Sequence, residues 1–354
     1  MLKDKSLFIG IGQAGGNICY EFEKLDYSVL MVNTSLEDLN SLKNAKHKHH
    51  IKNGMGSGRD RVYSKQLFSE DIQNIALSID NMINDKSIIF VCASSSGGTG
   101  AGIMPDMIKL IIDLYPDKLV IGVTVLPDER IESVMACNNC YDTLQELTTI
   151  ENMGALFVLD NKKNKNKFSI NADFAAIIDK LLTLDSFSKS GNLDEAELLT
   201  LLSTSNYIIV TKLGKENTSV ANIIKSFTNN IYAPIEKDQV ITYKGYILTK
   251  PINVSELDAE LGVGLDTFVG YGASTTLCIL SGLSIPSSRI NEIFAKVKQH
   301  RDLIESNMST LSSASLTEKP IIFNRPNKTN KIMSQVNSNN TNNRREELLK
   351  RIRR

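Results

Sequence analysis

Ser94-Ser95-Ser96-Gly97-Gly98-Thr99-Gly100-Ala101-Gly102 follows an apolar run (87–93) and leads into a helical pattern (103–114). Its nine residues hold four glycines and four hydroxyl side chains. A packing turn uses glycine but has no need of the hydroxyls. Together they make a nest of N–H and O–H donors suited to a polyphosphate. The Gly-x-x-x-x-Gly-Lys-Ser/Thr spacing of a P-loop is missing from the chain.

A second loop of this kind stands at the N-terminal end. Gly10-Ile11-Gly12-Gln13-Ala14-Gly15-Gly16-Asn17-Ile18 follows a strand-like run (6–10) and opens a helix (15–24). Glycines there let backbone approach a phosphate, and the helix presents free N–H groups and the positive end of its dipole. A third cluster, Asn53-Gly54-Met55-Gly56-Ser57-Gly58-Arg59, is placed to close over a terminal phosphate. Around these loops, strand-like runs (6–10, 29–33, 87–93, 119–126, 155–160) alternate with helical patterns (15–24, 69–83, 103–114, 137–147). Such alternation predicts a parallel sheet with helices on both faces and ligands at the carboxyl ends of the strands.

The remaining sequence bounds the function. The chain has 354 residues, enough for about two domains. Forty basic and forty acidic side chains cancel, which argues against a whole-chain nucleic-acid or polybasic membrane binder. No apolar run reaches membrane-helix length and the start lacks a signal-peptide core, so a cytoplasmic protein is expected. Five unevenly spaced cysteines make no disulfide framework. Cys137 and Cys140 read as helix packing, and His47, His49 and His50 as part of a solvated loop. A second α+β pattern, with strands at 207–213, 240–252, 275–283 and 320–323, follows a helical stretch at 172–184. Residues 326–354 carry eight Lys/Arg against two Glu, a net +6, in an Asn/Ser-rich context that predicts a disordered tail with a short basic helix at its tip. An NAD-dependent oxidoreductase is the competing reading of the first loop. It expects an acid at the tip of the second strand, but Asn33-Thr34 stands there, and it leaves the 94–102 nest unused.

These loops resemble those of the tubulin/FtsZ superfamily. The first loop is similar to the first phosphate loop of tubulin and FtsZ, 95–102 to their Gly-Gly-Gly-Thr-Gly-Ser/Thr-Gly signature, and Asn33-Thr34 to an Asn-Thr of FtsZ. Ser96 and Ala101 depart from the signature. The overall pattern is most like the TubZ branch of plasmid and phage segregation systems.

The resemblance implies an α/β fold: a GTP-binding domain with a parallel sheet (1–165), a long central helix and catalytic loop (166–200), a smaller α+β C-terminal domain (201–325) and a flexible basic tail (326–354). It implies GTP/GDP as ligand, contacting Gly12, Gln13, Ala14, Gly15, Asn17, Asn33, Gly56, Ser57, Gly58, Ser95, Ser96, Gly97, Gly98, Thr99 and Gly100. Asn161 would read the guanine edge, Phe174 would stack on the base, and Asp179 stands near the place of a second base contact. Glu129 and Glu132 are the ribose candidates. Mg²⁺ would be held by phosphates and water rather than side chains. Asn192-Leu193-Asp194-Glu195-Ala196-Glu197 has the Asn-x-Asp-x-x-Glu pattern of α-tubulin. In the family its carboxylates act on the nucleotide of the adjacent subunit, which implies a GTPase activated by head-to-tail polymerisation. The tail would engage a TubR-like DNA-binding adaptor, giving indirect contact with centromeric DNA. An FtsZ-like division filament is the alternative within the family.

Overall fold

The computed structural model describes residues 1–163, 166–184, 191–237 and 239–313, with backbone alone for 307–313. The chain opens with β1 (Ser6–Ile11), α1 (Gly12–Glu23), β2 (Ser28–Asn33), α2 (Leu36–Ser41) and β3 (Lys48–His50). It continues through α3 (Arg61–Ile83), β4 (Ile88–Ser94), α4 (Thr99–Leu114), β5 (Leu119–Leu126), α5 (Val134–Thr148) and β6 (Ala155–Asp160). A single 3₁₀ turn, Asn161–Lys163, precedes α6 (Lys167–Leu182) and then α7 (Glu195–Ser203). The last part is β7 (Asn206–Leu213), α8 (Val220–Thr228), β8 (Ile241–Leu248), α9 (Val254–Leu261), β9 (Gly264–Tyr271), β10 (Thr276–Leu283) and α10 (Ser287–Ser313).

The ten strands of the described residues join one sheet in the order β3-β2-β1-β4-β5-β6-β7-β10-β8-β9. Neighbours from β3 to β7 pair in parallel; β10 runs antiparallel to both β7 and β8. The strands expected in a second α+β unit therefore extend the first sheet. β1, β4, β5 and β6 are buried along nearly their whole length, as apolar strands covered by helices on both faces must be. A Cβ on Gly15 would lie 2.1 Å from Cys92 O, so α1 rests directly on the backbone of β4. Phe8 stacks on Phe22 and Phe90, with centroids 3.8 and 4.5 Å apart, at the centre of this core.

The chain divides into two units, Met1–Ala295 and Lys296–Arg354, and the division falls inside α10. Every strand among the described residues belongs to the first unit. The strand expected at 320–323 and the basic tail at 326–354 lie outside the described residues. Among the described residues no helix is long and apolar enough to cross a membrane.

Two expectations are corrected. Elements form at Val254–Leu261 and Gly264–Tyr271, where none was read. The histidine stretch is not a solvated loop but contains edge strand β3, paired with β2. His49 Nε2 lies 2.9 Å from Asp71 Oδ2, and His49 Nδ1 lies 2.9 Å from Ser78 Oγ. The Lys52 N–H and Asn74 Nδ2 also donate to the buried Asp71 carboxylate. This clasp ties β3 and the start of the third glycine loop to α3. Burial opposes the charge on Asp71, but those partners outweigh it and hold the carboxyl below its ordinary value of 3.8. The stabilisation from this group is present above that value and is lost as pH falls through the lower folded value. Asp71→Asn is expected to lower stability at neutral pH by about 2 kcal/mol. The difference between wild type and variant should shrink below about pH 3.8, which thermal unfolding across pH 2–7 measures.

Candidate nucleotide and catalytic site

Parallel strands end on a common edge, and the three glycine loops meet there. A Cβ on Gly12, in the first loop, would stand 3.1 Å from Gly100 N of the second. A Cβ on Gly98 would meet Ser57 Oγ at 2.3 Å and Arg59 Cα at 2.8 Å, so the third loop lies against the second and Gly98 admits no side chain. Thr99 Oγ1 shares a 2.7 Å hydrogen bond with Thr34 Oγ1 and donates to Ser57 Oγ at 3.1 Å. Three hydroxyls from three segments thus meet at the start of α4.

The two helices that follow the first and second loops begin without a side-chain cap. The N-cap positions of α1 and α4 are Ile11 and Gly98, and neither makes a capping hydrogen bond. By contrast, α2, α3 and α5 to α9 are all capped by Ser, Asp or Asn. The first-turn N–H groups of α1 and α4 are therefore left to an external acceptor, and both dipoles present their positive ends to it. Gly12 to Asn17 form the first two turns of α1, and Gln13 is exposed. Gly56 and Gly58, with φ of 81° and 56°, shape the third loop.

The other expected residues divide into two groups. Ser96 lies in the nest, where its N–H donates to Ser94 Oγ, and Gly97 follows it. Asn33 is at the tip of β2, its Oδ1 accepting from Ser35 N and its Nδ2 donating to Asp38. Glu129 and Glu132 follow β5, and Asn161 follows β6, on the same edge. Glu132 pairs with Arg59 of the third loop at 3.3 Å and with Lys167 of α6 at 2.7 Å. Glu129 pairs with Lys162 at 2.8 Å and Arg289 at 2.6 Å. Burial works against both charges, but these cations hold both carboxyls below the usual carboxylate range. They stay ionised and can accept hydrogen bonds from sugar hydroxyls.

Three expectations are corrected. Ser95 turns inward: its N–H and its hydroxyl both donate to Val125 O. Phe174 is fully buried, packed edge-on against Phe22, Phe157 and Tyr232, and has no free face for a base. The helix begins at Lys167, capped by Asn166, so the aromatic in its first turn is Phe168, 65% exposed. Asp179 is twelve residues along α6, ~18 Å from that start at 1.5 Å per residue. It accepts a hydrogen bond from Tyr27, which precedes β2, and so belongs to the opposite edge.

Asn139 was not read from the sequence. Its Nδ2 donates to Arg59 O and Gly97 O, locking the third loop to the second. The available signal was a polar pair, Asn139 and Thr143, one turn apart on the buried face of a helical pattern. Phe168 could have been found from the Asn166 cap.

The acidic loop stands elsewhere. Asp194 caps α7: its Oδ1 accepts from Glu197 N at 2.8 Å, and Glu197 Oε2 accepts from Asp194 N at 2.9 Å. Neighbouring Glu195 pairs with Lys5 at 2.5 Å, at the entry to β1. Leu193 packs on Gly270 of β9, and Asn192 precedes it. From Lys5 to Gly12 the chain runs the length of β1, ~20 Å at 3.3 Å per residue. Asp194 and Glu197 are thus at the amino-terminal edge of the sheet, while the glycine loops are at the carboxyl-terminal edge.

Residues 5–168 match the Tubulin/FtsZ family, GTPase domain. The tubulin-like protein TubZ of Clostridium botulinum C phage is 29% identical over 311 residues, covering 85% of this chain and 86% of that one. The crystal structure of Clostridium botulinum phage c-st TubZ superposes with a TM-score of 0.77 at 25% identity, covering 85% of this chain and 99% of the other. The tubulin-like protein CetZ of Methanothrix thermoacetophila is 31% identical over 198 residues, about half of each chain. Residues 5–168 thus resemble a Tubulin/FtsZ-family GTPase domain, within a chain whose fold is TubZ-like.

Proposed function

We propose that this protein is a filament-forming GTPase whose hydrolytic site is shared between two subunits. The loops of one subunit hold GTP, and Asn192, Asp194 and Glu197 of the next orient the attacking water. The observation that carries the reading is the separation of the acidic loop from the chain's own phosphate loops by the length of β1. Carboxylates on the far edge cannot reach a nucleotide bound by the same chain. They can reach one if copies stack head to tail, a heterologous contact that repeats without closing.

Other features support it. The fit of a triphosphate rests on two uncapped helix starts, the Thr34–Ser57–Thr99 hydroxyls and glycines with no room for a side chain. Mg²⁺ held by the phosphates would neutralise charge there, since few cations face the loops. Exposed apolar residues Met55, Val62, Ile131 and Met135 surround this face, as a surface covered by another copy would require. A solved structure of Bacillus thuringiensis TubZ in the GTPγS form is described as a protofilament, and its TM-score to this chain is 0.72 at 16% identity. GTP would favour assembly, and hydrolysis would weaken the lattice. Residues 326–354, with their net +6, would be the tether to a TubR-like adaptor on centromeric DNA, in the host cytoplasm.

Asp194→Asn separates a catalytic role from a structural one, because Asn caps a helix about as well as Asp. The variant should keep its unfolding temperature and GTP affinity, lose about 10²-fold or more in turnover, and leave long-lived polymers. Normal turnover in Asp194→Asn would overturn the shared site. Specific GTPase rate should also rise with protein concentration in step with polymer seen by electron microscopy. A rate independent of concentration, without polymer, would remove the filament reading.

The corrected aromatic is tested by a pair of substitutions. Phe168→Ala should weaken GDP binding by about tenfold or more, the magnitude of a lost base stack, with little effect on stability. Phe174→Ala should instead cost about 3–5 kcal/mol of stability, read by denaturant unfolding.

A further inference from the structure

Arg289 is the third residue of α10, is 3% exposed, and lies outside every glycine loop. Each nitrogen of its guanidinium faces an oxygen. Nε donates to Asp160 Oδ2 at 2.8 Å, and Nη2 donates to Asp160 Oδ1 at 3.2 Å and to Pro127 O at 3.0 Å. Nη1 lies 2.6 Å from Glu129 Oε2 and donates to Glu292 Oε2 at 3.1 Å. Lys162 closes the network, bonding Glu129 Oε1 and Glu292 Oε2 at 2.8 Å each, while its N–H donates to Asp160 Oδ1.

Asp160 ends β6 and Pro127 directly follows β5. These strands are hydrogen-bonded neighbours, with Leu126 opposite Asp160. Beyond that last paired position each chain turns away, one into Asp128–Glu132 and the other into Asn161. Backbone pairing no longer sets the distance between the two turns. The guanidinium does, with one planar fork holding a carboxylate from one turn and a carbonyl and a carboxylate from the other. Glu129 and Asn161, the ribose and base candidates, stand beside the clamped atoms. An Arg buried with this many partners is costly to place, and replacing it leaves Asp160 without its main counter-charge. A latch needed only to dock α10 could have been apolar. Here the ionic atoms concentrate where two functional turns diverge.

We infer that Arg289 is a positioning residue for the base and ribose corner of the nucleotide site, setting nucleotide affinity and base selectivity from a position outside the phosphate loops. This rests on the GTPase reading above. Arg289→Lys keeps the charge but cannot bridge Asp160, Pro127 O and Glu129 at once. In folded Arg289→Lys, verified by thermal unfolding, the Kd for GDP should rise about tenfold, and the preference for GTP over ATP should narrow by a similar factor. The kcat at saturating GTP should stay within about twofold, because the phosphate loops and the neighbour's carboxylates are untouched. A purely structural Arg289 would shift only the unfolding temperature.

The unsubstituted chain provides a second measurement. GDP should slow hydrogen–deuterium exchange in residues 127–132 and 160–163 and, through the clamp, in residues 288–294 of α10. Folded Arg289→Lys with wild-type affinity and selectivity overturns the inference, as does protection of the two turns without α10. Wild-type protein that binds no GTP overturns the GTPase reading, and this inference with it.

Discussion

Strand polarity governs this molecule. From β3 to β7 every strand pairs with its neighbour in parallel, so all loops that follow these strands lie on one edge and all that precede them on the other. The glycine loops follow β1, β3 and β4 and fall on the first edge. The loop that caps α7 meets the entry to β1 and falls on the second. No side-chain rearrangement short of refolding the sheet brings them together. The separation of the acidic loop from the glycine loops is thus built into the hydrogen-bond direction of a buried sheet whose central strands are apolar on both faces.

The same polarity sets the electrostatics. Helices that follow parallel strands start at the carboxyl edge, so their dipoles converge there. Most helices of this chain spend a Ser, Asp or Asn on their own first turn, but α1 and α4 do not. Leaving those N–H groups without protein partners destabilises the empty molecule slightly, and an anion would reverse that. The surrounding carboxylates would repel an anion if they were bare. Glu132 instead shares Arg59 and Lys167, and Glu129 shares Lys162 and Arg289, which leaves oxygen acceptors in place while cancelling much of their field.

Much of this was legible in the sequence where the signal is local. Glycine and hydroxyl spacing fixes what a loop of nine residues can hold, and the strand that precedes it fixes its edge. The failures share a physical cause, which is that direction is not local. Ser95 and Ser96 are adjacent and chemically identical, yet one turns to Val125 O and the other stays in the nest. Phe168 and Phe174 lie six residues apart on one helix, and the choice between solvent and core depended on where the helix begins. The Asn166 cap sits in the Lys/Asn-rich stretch 161–167, whose composition is that of a surface connection. Strand β9 escaped because Gly264–Tyr271 is an edge strand with exposed residues and no clean alternation. Arg289 had no sequence signal, since its partners outside α10 come from two distant segments.

Asp194 and Glu197 show the limit from the other side. Their spacing is that of a capping box, and they form one. Sequence alone cannot tell a helix start from a water-orienting pair, because the same atoms at the same spacing satisfy both. Here the two roles are compatible. In the box each carboxylate uses one oxygen on a backbone N–H, Asp194 Oδ1 and Glu197 Oε2, so the second oxygen of each is not bound by the cap. A cap that fixes one oxygen also fixes the direction of the other, which is what positioning a water requires. The helix start would then be the device that holds the acidic pair rigid before a neighbour's nucleotide arrives, and a surface capping box on the far edge of the sheet is where such a device has to stand.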